Sequence, residues 1–351
     1  MRVLYFGTYE RAYPRNAQVI SCLRRAGVDV VERHEPVWEG REHKWDAPVA
    51  VALHLAVAEA RLLRAPRERF DAVLVGYPGH LDLPAARRAA RGAPVIFNPL
   101  VSLADTLVGD RRRFRPGSVQ DRALTALDRL ALRSADLVVA DTTAQAALYE
   151  RLGASRVEVC LVGAEERIFH PPWQRCDPFH CLFVGKLIPL HGLETILAAA
   201  RLARELRFRV VGSGQLEAPL ADAPPNVDRI SWIDYERLGD EYRRAGCALG
   251  IFGRTEKAAR VIPNKAFQAL ACGTPLVTAD TPAVRELLTD GESALLVPAG
   301  DARALAEAVR RLAGDPELAG RLSAGGRARY RERASEDVLG ARWRALIAQP
   351  A

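Results

Sequence analysis

Residues 181–214 read CLFVGKLIPLHGLETILAAARLARELRFRVVGSG, and this stretch decides the fold class. Cys181–Gly185 is a short apolar run closed by glycine, as strands are. Leu193–Arg204 carries apolar residues at helical spacing. Phe208–Val211 is a second β-branched run, closed by Val211-Gly-Ser-Gly214. The order is strand, helix, strand, and the strands are apolar throughout rather than alternating. That pattern points to a parallel sheet with helices on both faces.

The alternation continues in both directions. Downstream, strands are expected at Val227–Ile230, Ala248–Phe252, Pro275–Thr278 and Ala294–Val297, with a helix between Val211 and Val227 and others at Glu236–Ala245 and Asn264–Cys272. From Asp301 to Ala348 the pattern is mostly helical. Upstream, strands are expected at Arg2–Phe6, Asp29–Arg33, Ala72–Gly76, Val95–Asn98, Leu137–Ala140 and Val157–Val162. Helices between them are expected at Pro14–Ala26, Val49–Leu63, Pro84–Arg91, Ser118–Arg133 and Thr143–Leu152. Residues 163–179, GAEERIFHPPWQRCDPF, hold three prolines without periodicity and read as a linker. The expectation is α/β: two Rossmann-like doubly wound domains, residues 1–168 and 169–334, facing across a cleft that collects the carboxyl ends of both sets of strands.

Composition agrees. A chain of 351 residues suits two domains, and 49% hydrophobic with 26% charged residues excludes a disordered chain. No apolar run approaches the ~20 residues of a membrane-spanning helix, and MRVLYFGTYE is too short an apolar start for a signal peptide. The expected location is the cytoplasm. Net charge is +7, and only four of the 50 basic residues (Lys44, Lys186, Lys257 and Lys265) are lysines. The charge forms no basic tail, so nucleic acid is not an expected partner. One local patch, Arg111, Arg112, Arg113 and Arg115, reads either as a solvated loop or as peripheral contact with the inner face of a membrane or an anionic acceptor. Cys176, His180 and Cys181 are the nearest approach to a metal half-site, but no matching second pair follows, so no metal is expected. All six cysteines are expected as reduced thiols.

Chemistry-bearing residues gather at strand ends. Gly185-Lys186, followed by Pro189, His191 and Gly192, puts a lysine, a histidine and a helix start at one strand end. A helix N-terminus suits phosphate, because its first amides lack partners and its dipole end is positive. Gly212 and Gly214 let backbone approach a ligand. Neither glycine run is GxGxxG, which speaks against a nicotinamide-nucleotide dehydrogenase. Residues 260–275, RVIPNKAFQALACGTP, are the most informative. Asn264 and Lys265 fall in the first turn of a helix, where a lysine opposes the dipole unless an anion lies between them. Gln268 shares a face with Asn264, and Gly273 closes the helix. In the first domain, Gly7-Thr8-Tyr9, Tyr77, His80, Asn98, Ser102 and Asp105 all follow strands. Asp105 or His80 is suited to orient or deprotonate an acceptor hydroxyl.

On these residues the chain resembles the group 1 retaining glycosyltransferases, family 4 of the GT-B fold. QALACGTP, with TPAVRELLTDGESALLVPAGDARALAEAV after it, resembles the family's donor-binding helix and the segment that follows it. FVGKLIPLHGLETIL resembles its VGRL segment, and GAEERIFHPP its interdomain segment. Together these cover most of residues 157–320. The family's E-x7-E pair falls on Arg260 and Gln268, with Glu256 as candidate substitute, and its Arg and Lys fall on Lys186 and His191.

The resemblance implies transfer of a sugar from a UDP- or GDP-sugar to an acceptor hydroxyl, with retention and without a required metal or resident cofactor. Lys186 and Lys265, with Asp105 and His80, are the implied catalytic set. Gly7, Thr8, Gly185, His191, Gly212, Gly214, Ile233, Glu256, Arg260, Asn264 and Gln268 are the implied donor contacts, with backbone near Trp232-Ile233 reading the base. The acceptor is a glycan, a lipid-linked glycan or a small molecule, in bacterial glycan or glycoconjugate synthesis. The last helix, within residues 335–351, is implied to pack back on the first domain. Two alternatives stay open: a GT-B sugar-nucleotide epimerase, and a binding protein without catalysis.

Overall fold

The computed structural model describes residues 1–39, 49–64 and 68–349. It divides into two compact units, Met1–Leu161 with Glu336–Ala351, and Val162–Ser335.

The first unit runs β1 (Arg2–Gly7), α1 (Pro14–Arg25), β2 (Asp29–His34), α2 (Val49–Leu62), β3 (Ala72–Val75), α3 (Leu83–Ala90), β4 (Val95–Phe97), α4 (Val119–Ser134), β5 (Leu137–Ala140), α5 (Thr143–Leu152) and β6 (Val157–Val159). Its sheet is parallel, in the order β2-β1-β3-β4-β5-β6. The inner strands are buried apart from Arg2 at the start of β1, whereas edge strand β2 is mostly half-buried, as a sheet covered on both faces requires. Direction of travel reverses between β1 and β3, so the loops after these strands flank the switch point where α/β sheets open a crevice.

The second unit runs β7 (His180–Val184), α6 (Leu193–Leu202), β8 (Arg207–Val211), β9 (Val227–Ile230), α7 (Leu238–Arg244), β10 (Cys247–Leu249), α8 (Glu256–Arg260), α9 (Asn264–Cys272), β11 (Leu276–Ala279), α10 (Pro282–Arg285), β12 (Leu295–Val297), α11 (Ala302–Gly314) and α12 (Pro316–Arg333). Its parallel order is β12-β11-β10-β7-β8-β9, with the switch point between β7 and β10. Phe183, Phe208, Leu193, Val277 and Leu305 lie in one apolar core.

The final helix, α13 (Glu336–Ala348), belongs to the first unit. Trp343 is fully buried there, with the Arg15 guanidinium 5.7 Å from its ring. Gly340 lets α13 approach α1: a Cβ at that position falls 2.6 Å from the Cys22 carbonyl oxygen. Arg25 binds Glu336 at 3.1 Å and Asp337 at 2.6 Å.

Where elements differ from expectation, the differences have local causes. β6 stops at Val159 because the Cys160 and Leu161 carbonyls leave the ladder to accept from Arg15, at 3.1 and 2.8 Å. β10 stops at Leu249, and the Phe252 amide instead donates to the His191 carbonyl, tying the loop ends after β7 and β10 together. The helix expected between Val211 and Val227 is a single 3-10 turn, Ala218–Leu220, and the helix expected from Glu236 opens as another, Tyr235–Arg237. A π-helical turn, Asp105–Asp110, occupies the β4–α4 connection and had no signal in the sequence. Downstream of it, Arg112, Arg113 and Arg115 are exposed, while Arg111 lies 3.8 Å from buried Asp110.

Candidate functional site

The second unit gathers its polar residues at the carboxyl ends of β7, β8 and β10. Gly185, just after β7, has φ +151°, and a Cβ there falls 2.9 Å from Lys265 Nζ and 3.2 Å from His191 Cε1. Gly212, after β8, has φ +141°, and a Cβ there falls 2.0 Å from the Gly185 carbonyl oxygen. A Cβ on Gly214 falls 2.9 Å from the Leu187 carbonyl oxygen. Only glycine permits these three backbones to meet. Gly192, at φ +68°, starts α6 against the backbone of Phe252 and Gly253.

Lys265 reaches this junction from the first turn of α9. Extended Pro263 precedes that helix, and Gly273 at φ +78° ends it. The lysine is 5% exposed and its Nζ sits 4.6 Å from the Phe183 ring centroid. Burial pushes its pKa down from 10.5 to about 7. No carboxylate pairs with it among the described residues. A lysine and a helix N-terminus side by side both favour an anion between them. His191 is buried, its ring edge-on to Phe183, and its Nδ1 engages the Lys186 carbonyl. Lys186 itself is exposed. Gln268, one turn along α9, is 6% exposed and accepts from Tyr242 Oη at 3.2 Å.

The remaining donor-side candidates are less convergent. Asn264 and Ile233 are half-buried. Arg260 and Glu256 pair with each other at 3.1 Å on α8, with the Glu256 side chain 90% exposed. That pairing turns Glu256 outward, away from the role of a substitute carboxylate. Cys176 Sγ lies 3.3 Å from His180 Nδ1, and no metal-holding cluster of three ligands occurs among the described residues.

In the first unit, buried polar groups meet at the β1/β3 switch point, but largely with one another. A Cβ on Gly7 (φ +122°) falls 2.0 Å from Asp82 Oδ2. Thr8 donates to Asp82 from its amide (2.7 Å) and its hydroxyl (3.0 Å). Glu59 lies beside the same carboxyl: burial raises both acids' pKa values and the Asp82 carboxylate raises that of Glu59 further, so the pair retains a proton. His80 is 5% exposed, with Nδ1 at 2.7 Å from the Pro78 carbonyl and Nε2 at 3.3 Å from Asp128 Oδ1. Both ring nitrogens are engaged, which makes His80 a brace between the β3–α3 loop and α4 rather than a ready base. Asp128 also accepts from Ser102 Oγ (2.6 Å) and from the amides of Leu103 and Ala104 (2.8 and 3.0 Å), which sets the entry to the π-helical turn. Asp105 begins that turn, its carboxylate 3.2 Å from where a Cβ on Gly109 falls. Asn98 accepts from buried Arg15.

Asp82, Glu59 and Asp128 had no signal in the sequence, because each is a single acid whose partners lie far along the chain.

Comparison with known proteins bears directly on this architecture. Residues 3–165 match the family described as glycosyl transferase 4-like domain, and residues 178–315 match glycosyl transferases group 1. A lipopolysaccharide core biosynthesis glycosyltransferase of Rhizobium meliloti is 29% identical over 167 residues, which is 46% of this chain and 47% of that protein. The chain thus spans about half the length of that relative. A GDP-mannose-dependent alpha-mannosyltransferase of Mycobacterium tuberculosis is 28% identical over 349 residues, 93% of this chain and 84% of that one. Among solved structures, Anabaena HepE in complex with UDP-glucose superposes with a TM-score of 0.71, at 14% identity and 99% coverage of both chains. Two parallel six-stranded sheets flanked by helices, with two family matches that together span most of the chain, lead to one conclusion: this protein is a member of the group 1 (family 4) glycosyltransferases and has their GT-B fold.

Proposed function

We propose that the protein transfers a glycosyl group from a UDP- or GDP-sugar to an acceptor hydroxyl with retention of configuration. One observation carries this reading: the buried Lys265 amine at the α9 N-terminus, against Gly185, with no carboxylate partner among the described residues. Such a group stabilises charge that develops on a departing diphosphate. In the proposed reaction the anomeric carbon–oxygen bond to the diphosphate breaks and a bond to the acceptor oxygen forms on the same face. The acceptor proton passes to the leaving diphosphate oxygen. Lys186 and Lys265 hold that diphosphate, Gln268 reads the ribose, and backbone near Ile233 reads the base. The nucleotide-sugar class is supported by the UDP-glucose bound to HepE and the GDP-mannose dependence of the mycobacterial relative. Those two differ in base, so UDP and GDP both remain in the proposal. The first unit is proposed to hold the acceptor, and exposed Arg112, Arg113 and Arg115 support contact with an anionic surface.

The test is thermal stability against UDP, GDP, ADP, CMP and NAD at 1 mM, followed by product analysis with and without acceptors. A ligand at ~100 times its Kd adds ~2.7 kcal/mol. Stabilisation by UDP or GDP, lost in Lys265→Ala, is expected. A shift with none of the nucleoside diphosphates would sink the donor assignment. Turnover of a sugar nucleotide without acceptor, and without hydrolysis, would favour an epimerase.

A further inference from the structure

Helices α2, α3 and α4 form one layer on the first unit. Their connections, β2 to β3, β3 to β4 and β4 to β5, all run the same way across the sheet. Right-handed crossovers then set all three helices on one face. α3 contacts both α2 and α4.

The outer side of this layer is apolar and basic. Six of the ten large apolar side chains exposed among the described residues (Leu53, Val57, Leu63, Leu81, Val119 and Leu130) fall on or beside these helices. On α4, Val119, Ala123, Ala126 and Leu130 share one helical face and are all exposed, with Val119 at 77% and Leu130 at 63%. The same helix turns Ala131 and Leu132 into the core, so it is apolar on two sides. On α2, Leu53 (66% exposed), Ala56, Val57 and Ala60 form a matching stripe. An apolar hollow of about 380 Å³ opens between α2 and α3, bordered by Leu55, Leu63, Leu81 and Pro84. Arg61, Arg87, Arg88, Arg122, Arg129 and Arg133 are exposed on these helices. None of the helices' carboxylates is: Glu59 and Asp121 are half-buried and Asp128 is buried. Arg61 and Arg87 pair with half-buried Glu35 and Asp136 from outside the layer, at 3.4 and 2.7 Å.

A contiguous exposed apolar face rimmed by polar residues marks an interaction site. We propose that the outer face of α2–α4 seats on an anionic lipid bilayer. Leu53, Val57, Val119 and Leu130 enter the boundary between headgroups and acyl chains, and the arginines meet lipid phosphates. This deepens, and rests on, the anionic-surface contact of Arg112, Arg113 and Arg115 proposed above, in the loop that leads into α4. Charge selects the occupant. Apolar side chains among arginines, without an exposed acid, match negative headgroups over a hydrocarbon interior. A second copy of this chain in a twofold pair would set the same arginines against each other. The three helices hold no Trp, Tyr or Phe, the usual anchors of a protein interface.

Vesicle co-sedimentation of the full chain tests this, with phosphatidylcholine alone and with an equimolar mixture of phosphatidylcholine and phosphatidylglycerol. The parent should bind the mixture about tenfold more tightly than phosphatidylcholine, or better. Val119→Ser/Leu130→Ser and Leu53→Ser/Val57→Ser should each weaken binding to the mixture about tenfold. Their melting temperatures should match the parent's, because these side chains are already exposed. Arg122→Gln/Arg129→Gln should weaken binding to the mixture about fivefold and leave binding to phosphatidylcholine unchanged. Leu202→Ser, at an exposed leucine of the second unit, should change nothing. The proposal fails if both serine pairs bind the mixture as the parent does, or if Leu202→Ser weakens it equally. If only Arg112→Gln/Arg113→Gln/Arg115→Gln loses binding, the loop contact stands and the helical face is refuted. A parent that binds no mixed vesicle refutes both. A parent dimer that Val119→Ser/Leu130→Ser dissociates, without vesicle binding, overturns the proposal and assigns the face to a second copy.

Discussion

Lys265 shows how one residue exchanges stability for binding. Its charged form is disfavoured by burial over Phe183, and its pKa falls to about 7. Between pH 10.5 and 7 the unfolded chain carries this proton and the native chain does not, so this group lowers stability as pH falls through that window. Below pH 7 both states are charged and the full penalty is present. Lys265→Met removes the penalty. It should raise the melting temperature by a few degrees at pH 6 while abolishing any response to nucleoside diphosphate. A lower melting temperature at pH 6 would show that the lysine supports the fold. His80 is the opposite case: its residue type suggested acid–base work, but Pro78 and Asp128 engage both nitrogens.

At the scale of elements, two helices do most to position the sites. α9 is short, buried along nearly its whole length, and bounded by Pro263 and Gly273, so its N-terminal turn is held against the β7 loop. α13 completes the first unit. Trp343 packs fully buried beneath Arg15, whose guanidinium bonds the ends of β4 and β6. Trp343→Ala leaves a large cavity at this junction and should cost about 3–5 kcal/mol. Denaturant unfolding, read by a probe in the first unit, checks it. A loss under about 1 kcal/mol would mean that α13 contributes little to that unit's stability.

For the whole molecule, the two units carry buried ionisable groups of opposite sign. In the first, Glu59 and Asp82 have raised pKa values, so the native state holds a proton that the unfolded chain releases. That contribution is present at low pH and is lost as pH rises out of the ordinary carboxylate range. In the second, Lys265 makes stability rise from pH 7 toward 10.5. Calorimetry at pH 7 and pH 9.5 should therefore show the first unit's transition moving down relative to the second's. Glu59→Gln should flatten the first trend and Lys265→Met the second. Parallel movement of both transitions in the parent, unaltered by either variant, would refute the assignment.

The sequence by itself determined the α/β class, nearly every strand and helix, the glycine at the Gly185 strand end and the start and end of the short helix that carries Lys265 and Gln268. These are local properties: apolar periodicity, glycine at positive φ, and proline or glycine at a helix boundary are each written in a few adjacent residues. Only the tertiary structure decided what the side chains do once gathered. It turned Glu256 outward onto Arg260, bound both nitrogens of His80, placed Glu59 beside Asp82 and bonded Gln268 to Tyr242. The physical reason is distance along the chain. A hydrogen bond between residues 26 positions apart, or 74, leaves no periodic trace, so its partners emerge only when packing removes water and each buried polar group must find one.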